Sequence, residues 1–322
     1  METTAETEAA ILESMDASSD DPPPLERPDV PNEPCAPAPD RVWGWAVQLY
    51  ALRSRSSWGI GDLRDLRRFG RWARAQGASL ALLNPLGAQV PTSPYEPSPY
   101  YPSTRRFRNI VFLAVDAIDG AHSADIAEER EAALSLNANR LIDYDRVYEL
   151  KSRALRKVFE AAPRPRGITS YVARQGAALR EFANFNAERD VHGGTPEFHV
   201  WLQYQLDRQL ARAAKEIGLI TDIPVGFNPD GFDATRFRDY FAPRMYVGAP
   251  PDEFFRDGQN WGLPPFDPWK LDDAQWAPFV DAIRSAAAHA VGVRLDHVMG
   301  LFRLFWIPES MTPAHGAYVH YP

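Results

Sequence analysis

The segment VGVRLDH, residues 291–297, sets an arginine and an aspartate two positions apart. In an extended strand side chains alternate, so Val291, Val293 and Leu295 share one face and Gly292, Arg294 and Asp296 the other. A guanidinium beside a carboxylate favours its ionised form, and an ionised, sheltered carboxylate can serve as a nucleophile. Spacing alone leaves open an ordinary buried ion pair. His297 closes the segment as either a hydrogen-bonded strand end or a site group. Asp222, in LITDIPV, stands at the end of another apolar run, either as a turn carboxylate or as a second site residue. In DGQNWGLPPF, residues 257–266, Gln259 and Trp261 combine an amide with an aromatic face. That combination suits sugars, whose C–H faces stack on rings while their hydroxyls need polar partners, and it equally suits a turn with a packing tryptophan. The run SPYEPSPYY offers Tyr95, Tyr100 and Tyr101.

The elements that would carry these groups read as α/β. VWGWAVQLYAL, 42–52, is expected as a buried first strand, and Asp62 as the cap of a helix with Leu63, Leu66, Phe69 and Ala73 on one stripe and Gly77 as its stop. SLALLN, 79–84, follows as a strand. Strand, amphipathic helix and strand within about forty residues is the unit of parallel sheets. Six prolines between 85 and 108 predict a long irregular loop at a strand's C-terminal end. Residues 120–192 read as a helical insertion, 196–217 as a helix stopped by Gly218, and LITDIPV as the next strand. A Gly/Pro/Asp-rich loop to about 268, a helix over 272–290 and the strand VGVRLDH complete the reading.

Five stretches in this order, WGIGDL, SPYEPSPYYPSTRRFRN, LITDIPVGFNPDGFDA, GAPPDEFFRDGQNWGLPPFDP and VRLDHVMGLFRLFWIP, resemble the 4-α-glucanotransferases or amylomaltases, as does the terminal GAYVHYP. The resemblance implies an α/β fold, a (β/α)8 TIM barrel of the alpha-amylase clan, here partial and with helical insertions. It implies transfer of an α-1,4-glucan segment to another glucan's 4-hydroxyl by a retaining covalent mechanism. Asp296 would be the nucleophile, Arg294 its partner, and His297 near the bound sugar. Asp222 would contact substrate, Tyr95 would pack against the sugar beside the scissile bond, and Gln259 and Trp261 would belong to a flap over the acceptor side. Partners would be α-1,4-glucans and maltooligosaccharides, and no cofactor or metal is implied. The family's general acid/base glutamate, in an E-D-L-G-like motif after the nucleophile, has no counterpart here. Glu309 reads as a loop residue. Twenty-six residues follow Asp296, room for at most one more unit of about 30 residues. The chain is therefore expected to be an N-terminal portion of the barrel, inactive alone. The alternative is a glucan-binding fragment or pseudoenzyme, and a hydrolytic amylase fits the motifs less well.

Composition narrows the function classes. Of 35 Lys/Arg and 43 Asp/Glu, one arginine and 11 acids fall in residues 1–40, leaving 34 against 32 elsewhere. A near-neutral body without a basic run argues against nucleic acid. The first forty residues, with eight prolines and few large apolar side chains, read as a disordered acidic tail, and 41–322 as the barrel portion. A single cysteine, Cys35, excludes an internal disulfide and fits a cytoplasmic protein, and no apolar run is long enough for a membrane span.

Overall fold

The computed structural model describes residues 41–321, so the expected acidic tail at 1–40 lies outside the described residues. Strand β1, Gly44–Val47, leads through a turn to helix α1, Leu63–Ala75, and to β2, Leu80–Leu83. The α1 start is the expected one. The Asp62 carboxylate accepts from the N–H groups of Arg64 and Asp65, and Asp65 reaches back to the Asp62 N–H, so the first-turn donors are satisfied reciprocally. Leu63, Leu66 and Ala73 bury the predicted stripe, and Gly77 at φ +88° makes the left-handed stop. The proline-rich stretch is not irregular throughout. Its ends return as a short antiparallel pair, β3 (Gly87–Ala88) and β4 (Thr104–Arg108), with five of the six prolines in the excursion between them and Pro85 just before β3.

The stretch expected to be helical holds α2 (Ala127–Ser135), α3 (Tyr144–Ala161), α4 (Ile168–Gln175) and α5 (Ala177–Arg189), followed by the long α6 (Pro196–Ala214). Val147, Leu150, Leu155 and Val158 of α3 and Phe198, Leu202, Leu206 and Leu210 of α6 enter one core with Leu66 and Leu83. Burial of large apolar side chains on this scale is the main force holding the helices to the sheet.

Strand β5 is Gly218–Ile223, followed by α7, Phe232–Arg236. The expected loop to 268 instead contains β6 (Met245–Ala249) and β7 (Gln259–Leu263), an antiparallel pair. A Cβ on Gly248 would sit 2.0 Å from the Gln259 carbonyl oxygen, so only glycine allows that close approach. The single helix expected over 272–290 is two, α8 (Pro268–Asp273) and α9 (Ala277–Ala287). Gln275 and Trp276 turn left-handed, and Pro278 restarts the helix in its first turn, where no N–H is required. Then come β8 (Gly292–Leu295), β9 (Arg303–Pro308) and β10 (Ala317–His320).

Apart from the β3–β4 pair, these strands make two four-stranded sheets. The parallel sheet has the order β1-β2-β5-β8, each neighbour joined by a crossover, as in one half of an eight-stranded barrel. The other is antiparallel, in the order β10-β9-β6-β7, and packs its own core of Val247, Leu263, Leu304 and Trp306. The expected burial of the first strand fails: Trp43 and Trp45 are exposed, because among the described strands β1 pairs only with β2 and forms a sheet edge. Val291, on the apolar face read from VGVRLDH, is also exposed at the opposite edge, beside β8. No helix among the described residues is long and apolar enough to cross a membrane.

Candidate active site

Parallel pairing places Asp222 of β5 directly beside Arg294 of β8. A slip of one residue would send one of the two to the opposite face, so this register fixes the site. Arg294 Nη1 donates to both carboxylate oxygens of Asp222, at 2.7 and 2.6 Å, and its Nη2 donates to Asp296 Oδ1 at 2.8 Å. One guanidinium thus holds two carboxylates in a planar fork, the geometry arginine supports and lysine does not. The alternation read from VGVRLDH is observed. The expected burial is not: the Arg294 side chain is 43% and that of Asp296 27% exposed, while that of Asp222 is 4%. Asp296 follows the last residue of an edge strand and is open to an approaching molecule.

Burial pushes the Asp222 carboxyl up from the usual carboxylate range, while the Arg294 fork and the Tyr100 hydroxyl oppose it. Donation from Arg294 Nη1 to both oxygens favours the ionised carboxylate. The bond to Asp222 raises Arg294 in turn. Asp222 is therefore occupied, with both oxygens held by Arg294 and one also accepting from Tyr100 at 3.1 Å. Asp296 spends only Oδ1, so among the described residues Oδ2 has no hydrogen-bond partner. That free oxygen can attack an electrophilic carbon, and the fork fixes its direction.

His297 continues the cluster in a left-handed conformation, φ 49°. Its ring meets Trp261 edge to face at 5.2 Å, and Trp261 Nε1 donates to Gln259 Oε1 at 3.2 Å. Partial burial lowers the imidazole below its ordinary range, with Asp296 pulling the other way. His297 Nε2 is buried without a hydrogen-bond partner. The structure therefore brings together Asp222, Arg294, Asp296, His297, Trp261 and Gln259.

Tyr95 does not join them. It is 5% exposed, stacked on Tyr148 at 4.4 Å between centroids, with its hydroxyl donated to Asn109 Oδ1. Its place at the cluster is taken by Tyr100, half-exposed and bonded to Asp222. The signal was present in the sequence, since Ser-Pro-Tyr occurs twice, at 93–95 and 98–100. Two small cavities lie nearby: one, lined by Tyr95, Tyr148, Asp190 and His199, shares no residue with the cluster, while the other borders Asp222 with Arg105 and Thr221. Glu309 follows β9 and is engaged by Arg244 at 3.1 Å. Among the described residues no cluster of His, Cys, Asp and Glu has the makings of a metal site.

A family model described as 4-alpha-glucanotransferase matches residues 47–196 and 186–322. A 4-alpha-glucanotransferase of Mycobacterium bovis is 39% identical over 331 aligned positions, covering 87% of this chain and 45% of the relative. One from Haemophilus influenzae is 31% identical, covering 88% and 49%. The crystal structure of amylomaltase from Corynebacterium glutamicum superposes with a TM-score of 0.82 at 35% identity, over 87% of this chain and 44% of that one. An amylomaltase from Streptococcus agalactiae, solved with acarbose, shares the fold at TM-score 0.74 and 18% identity, over 88% of this chain and 64% of that one. The chain spans a little under half the length of these two curated relatives.

Proposed function

Because the chain belongs to the 4-alpha-glucanotransferase family, we propose that its Asp222–Arg294–Asp296 cluster is the nucleophile-bearing part of a site that moves an α-1,4-glucan segment onto the 4-hydroxyl of another glucan. One observation carries this: Arg294 holds Asp222 by both oxygens and Asp296 by one, leaving one Asp296 carboxylate oxygen free at the mouth of the parallel sheet. Asp296 would attack the anomeric carbon, displacing the leaving sugar and forming a glycosyl ester, which the acceptor hydroxyl then resolves with overall retention. Arg294 orients the nucleophile. Asp222 and Tyr100 would receive the donor sugar, with Trp261, Gln259 and His297 on the acceptor side offering a ring face beside polar groups. The substrates are α-1,4-glucans and maltooligosaccharides, and a cytoplasmic setting suits the single cysteine.

Retaining transfer also needs a proton donor about 5 to 5.5 Å from the nucleophile. The carboxylates bonded to Arg294 are Asp222 and Asp296, and Asp222 is committed to the guanidinium. That observation favours a second reading for this stretch of chain taken alone, in which it binds glucan without turning it over. Incubation with maltotriose separates the two: absence of glucose and longer maltodextrins, with acarbose binding measurable by calorimetry and weakened at least tenfold by Arg294→Met, is the expected result. Disproportionation that persists in Asp296→Asn would remove Asp296 from the nucleophile's role.

A further inference from the structure

The loop that delivers Tyr100 to Asp222 runs directly into β4, and β4 is fastened sideways to the helix preceding the nucleophile's strand. Arg106 Nη1 donates to both oxygens of Asp281 on α9, each at 2.5 Å, and Nη2 donates to the Gln175 carbonyl at 3.0 Å. Arg108 Nη2 donates to the Ser285 carbonyl, one helical turn further on, and the Ser285 hydroxyl donates back to the Arg106 carbonyl. Asp281 is also approached by Arg236 of α7 at 3.5 Å, and Arg236 pairs with Glu181 of α5 at 3.2 Å. The Arg106 and Asp281 side chains are 18% and 29% exposed, so water competes with them less than at an open surface.

This bridge spans 175 residues of sequence and, with the Arg108–Ser285 and Ser285–Arg106 bonds beside it, joins the strand that follows Tyr100 to the helix that leads to Asp296. From Arg106 it is six residues back to Tyr100, and from Asp281 it is fifteen forward to Asp296. The opposite side of the same loop is held by backbone bonds, Asn228 N–H to the Pro102 carbonyl and Asp233 N–H to the Ser103 carbonyl, which tie it to the unit bearing Asp222. α9 is in turn tied to that unit by the Thr221 hydroxyl, which donates to the Ala286 carbonyl. The bond from Arg106 to Asp281 is thus the charged closure of a ring of contacts through Tyr100, Asp222 and Arg294. Hydrogen bonds to a fixed bidentate partner define direction as well as distance, which a lone lysine charge would not.

We infer that Arg106 and Asp281 are positioning residues that set the placement of Tyr100 against the Asp222–Arg294–Asp296 cluster, and neither touches substrate. The inference rests on the reading of that cluster as the glucan site, but its test reads geometry and needs no turnover. With 3-fluorotyrosine introduced at position 100 of the full chain, its fluorine resonance and the pH midpoint of its phenol are followed. Burial and the Asp222 carboxylate raise that phenol, so a loop released from Asp222 shifts the resonance and lowers the midpoint. Arg106→Met and Asp281→Asn should both do this, the double variant should add little beyond either, and Arg106→Lys should rescue only part. Glu181→Gln, at the far end of the network, should leave the resonance in place. A merely structural bridge would lower the melting temperature without moving either reading below the melt. An unchanged resonance and midpoint in Arg106→Lys and Asp281→Asn, with the far-ultraviolet spectrum intact, would overturn the inference. Should Arg106→Met fail to fold, Arg106→Lys and Asp281→Asn carry the comparison. Failure of glycosyl labelling at Asp296 would refute the functional reading and leave this geometric result standing.

Discussion

At the residue scale the site depends on one arginine serving two carboxylates, and its consequences differ for each. Replacing Arg294 by methionine removes the influence that holds Asp222 down, so the Asp222 carboxyl, already raised by burial, should titrate higher still. Carboxyl carbon resonances followed against pH would show this, and an unchanged Asp222 midpoint would contradict it. His297 makes the opposite contribution. Its folded-state value lies below the ordinary histidine range because of burial, so the unfolded chain binds the proton more readily. The stability it supplies is full above the unfolded value of about 6.5 and is lost as pH falls through the lower folded value. His297→Gln should therefore flatten the pH dependence of unfolding in that window, measured by urea titration between about pH 5 and 7. The pairing of Arg294 with Asp296 was legible, because a period of two needs only local sequence. The register that sets Asp222 beside Arg294 joins strands 72 residues apart and is decided by packing, beyond what local spacing specifies. Tyr95 and Tyr100 sit in identical triplets, and only the tertiary fold distinguishes the buried one from the one at the site.

Among the elements, the clearest sequence signals were those whose chemistry is local. Asp62 capped the helix it was expected to cap, and Asp62→Ala should cost about 0.5–2 kcal/mol, seen as a lowered melting temperature. A variant as stable as the parent would show that the cap is dispensable. The antiparallel sheet was not legible. Its strands β6 and β7 are interrupted by Gly248 and Gly262 and separated by a Pro- and Asp-rich turn, so their composition reads as loop until β9 supplies the pairing partner. The helix over 272–290 was split for a related reason, since two consecutive left-handed residues, Gln275 and Trp276, interrupt a run whose apolar pattern alone looks continuous. These elements carry Gln259 and Trp261 and lead into β8, so the parts hardest to read locally are those that place these two side chains beside His297.

The whole molecule presents a half-barrel with two open parallel edges. β1 pairs only with β2 and β8 only with β5 among the described strands. Beside the first edge Trp43, Trp45 and Trp72 form an exposed ladder, with centroids 6.1 and 5.7 Å apart. Near the second, Val291, Val298, Met299 and Phe302 are exposed. Unpaired edges flanked by apolar surface invite association, so light scattering of the 322-residue chain should show concentration-dependent assembly that Trp45→Lys with Trp72→Lys weakens. A monodisperse monomer across the micromolar range would contradict this. The central claim concerns Asp296 and calls for a donor that needs no proton. α-Maltosyl fluoride provides one, because fluoride leaves unassisted when the Asp296 carboxylate attacks the anomeric carbon, forming a carbon–oxygen ester bond as the carbon–fluorine bond breaks. The most direct measurement is the intact mass of the chain after incubation with this fluoride, followed by peptide mapping. Addition of one maltosyl unit at Asp296, absent in Asp296→Asn, is the expected result, and an unlabelled chain, or a label that survives in Asp296→Asn, would contradict the assignment.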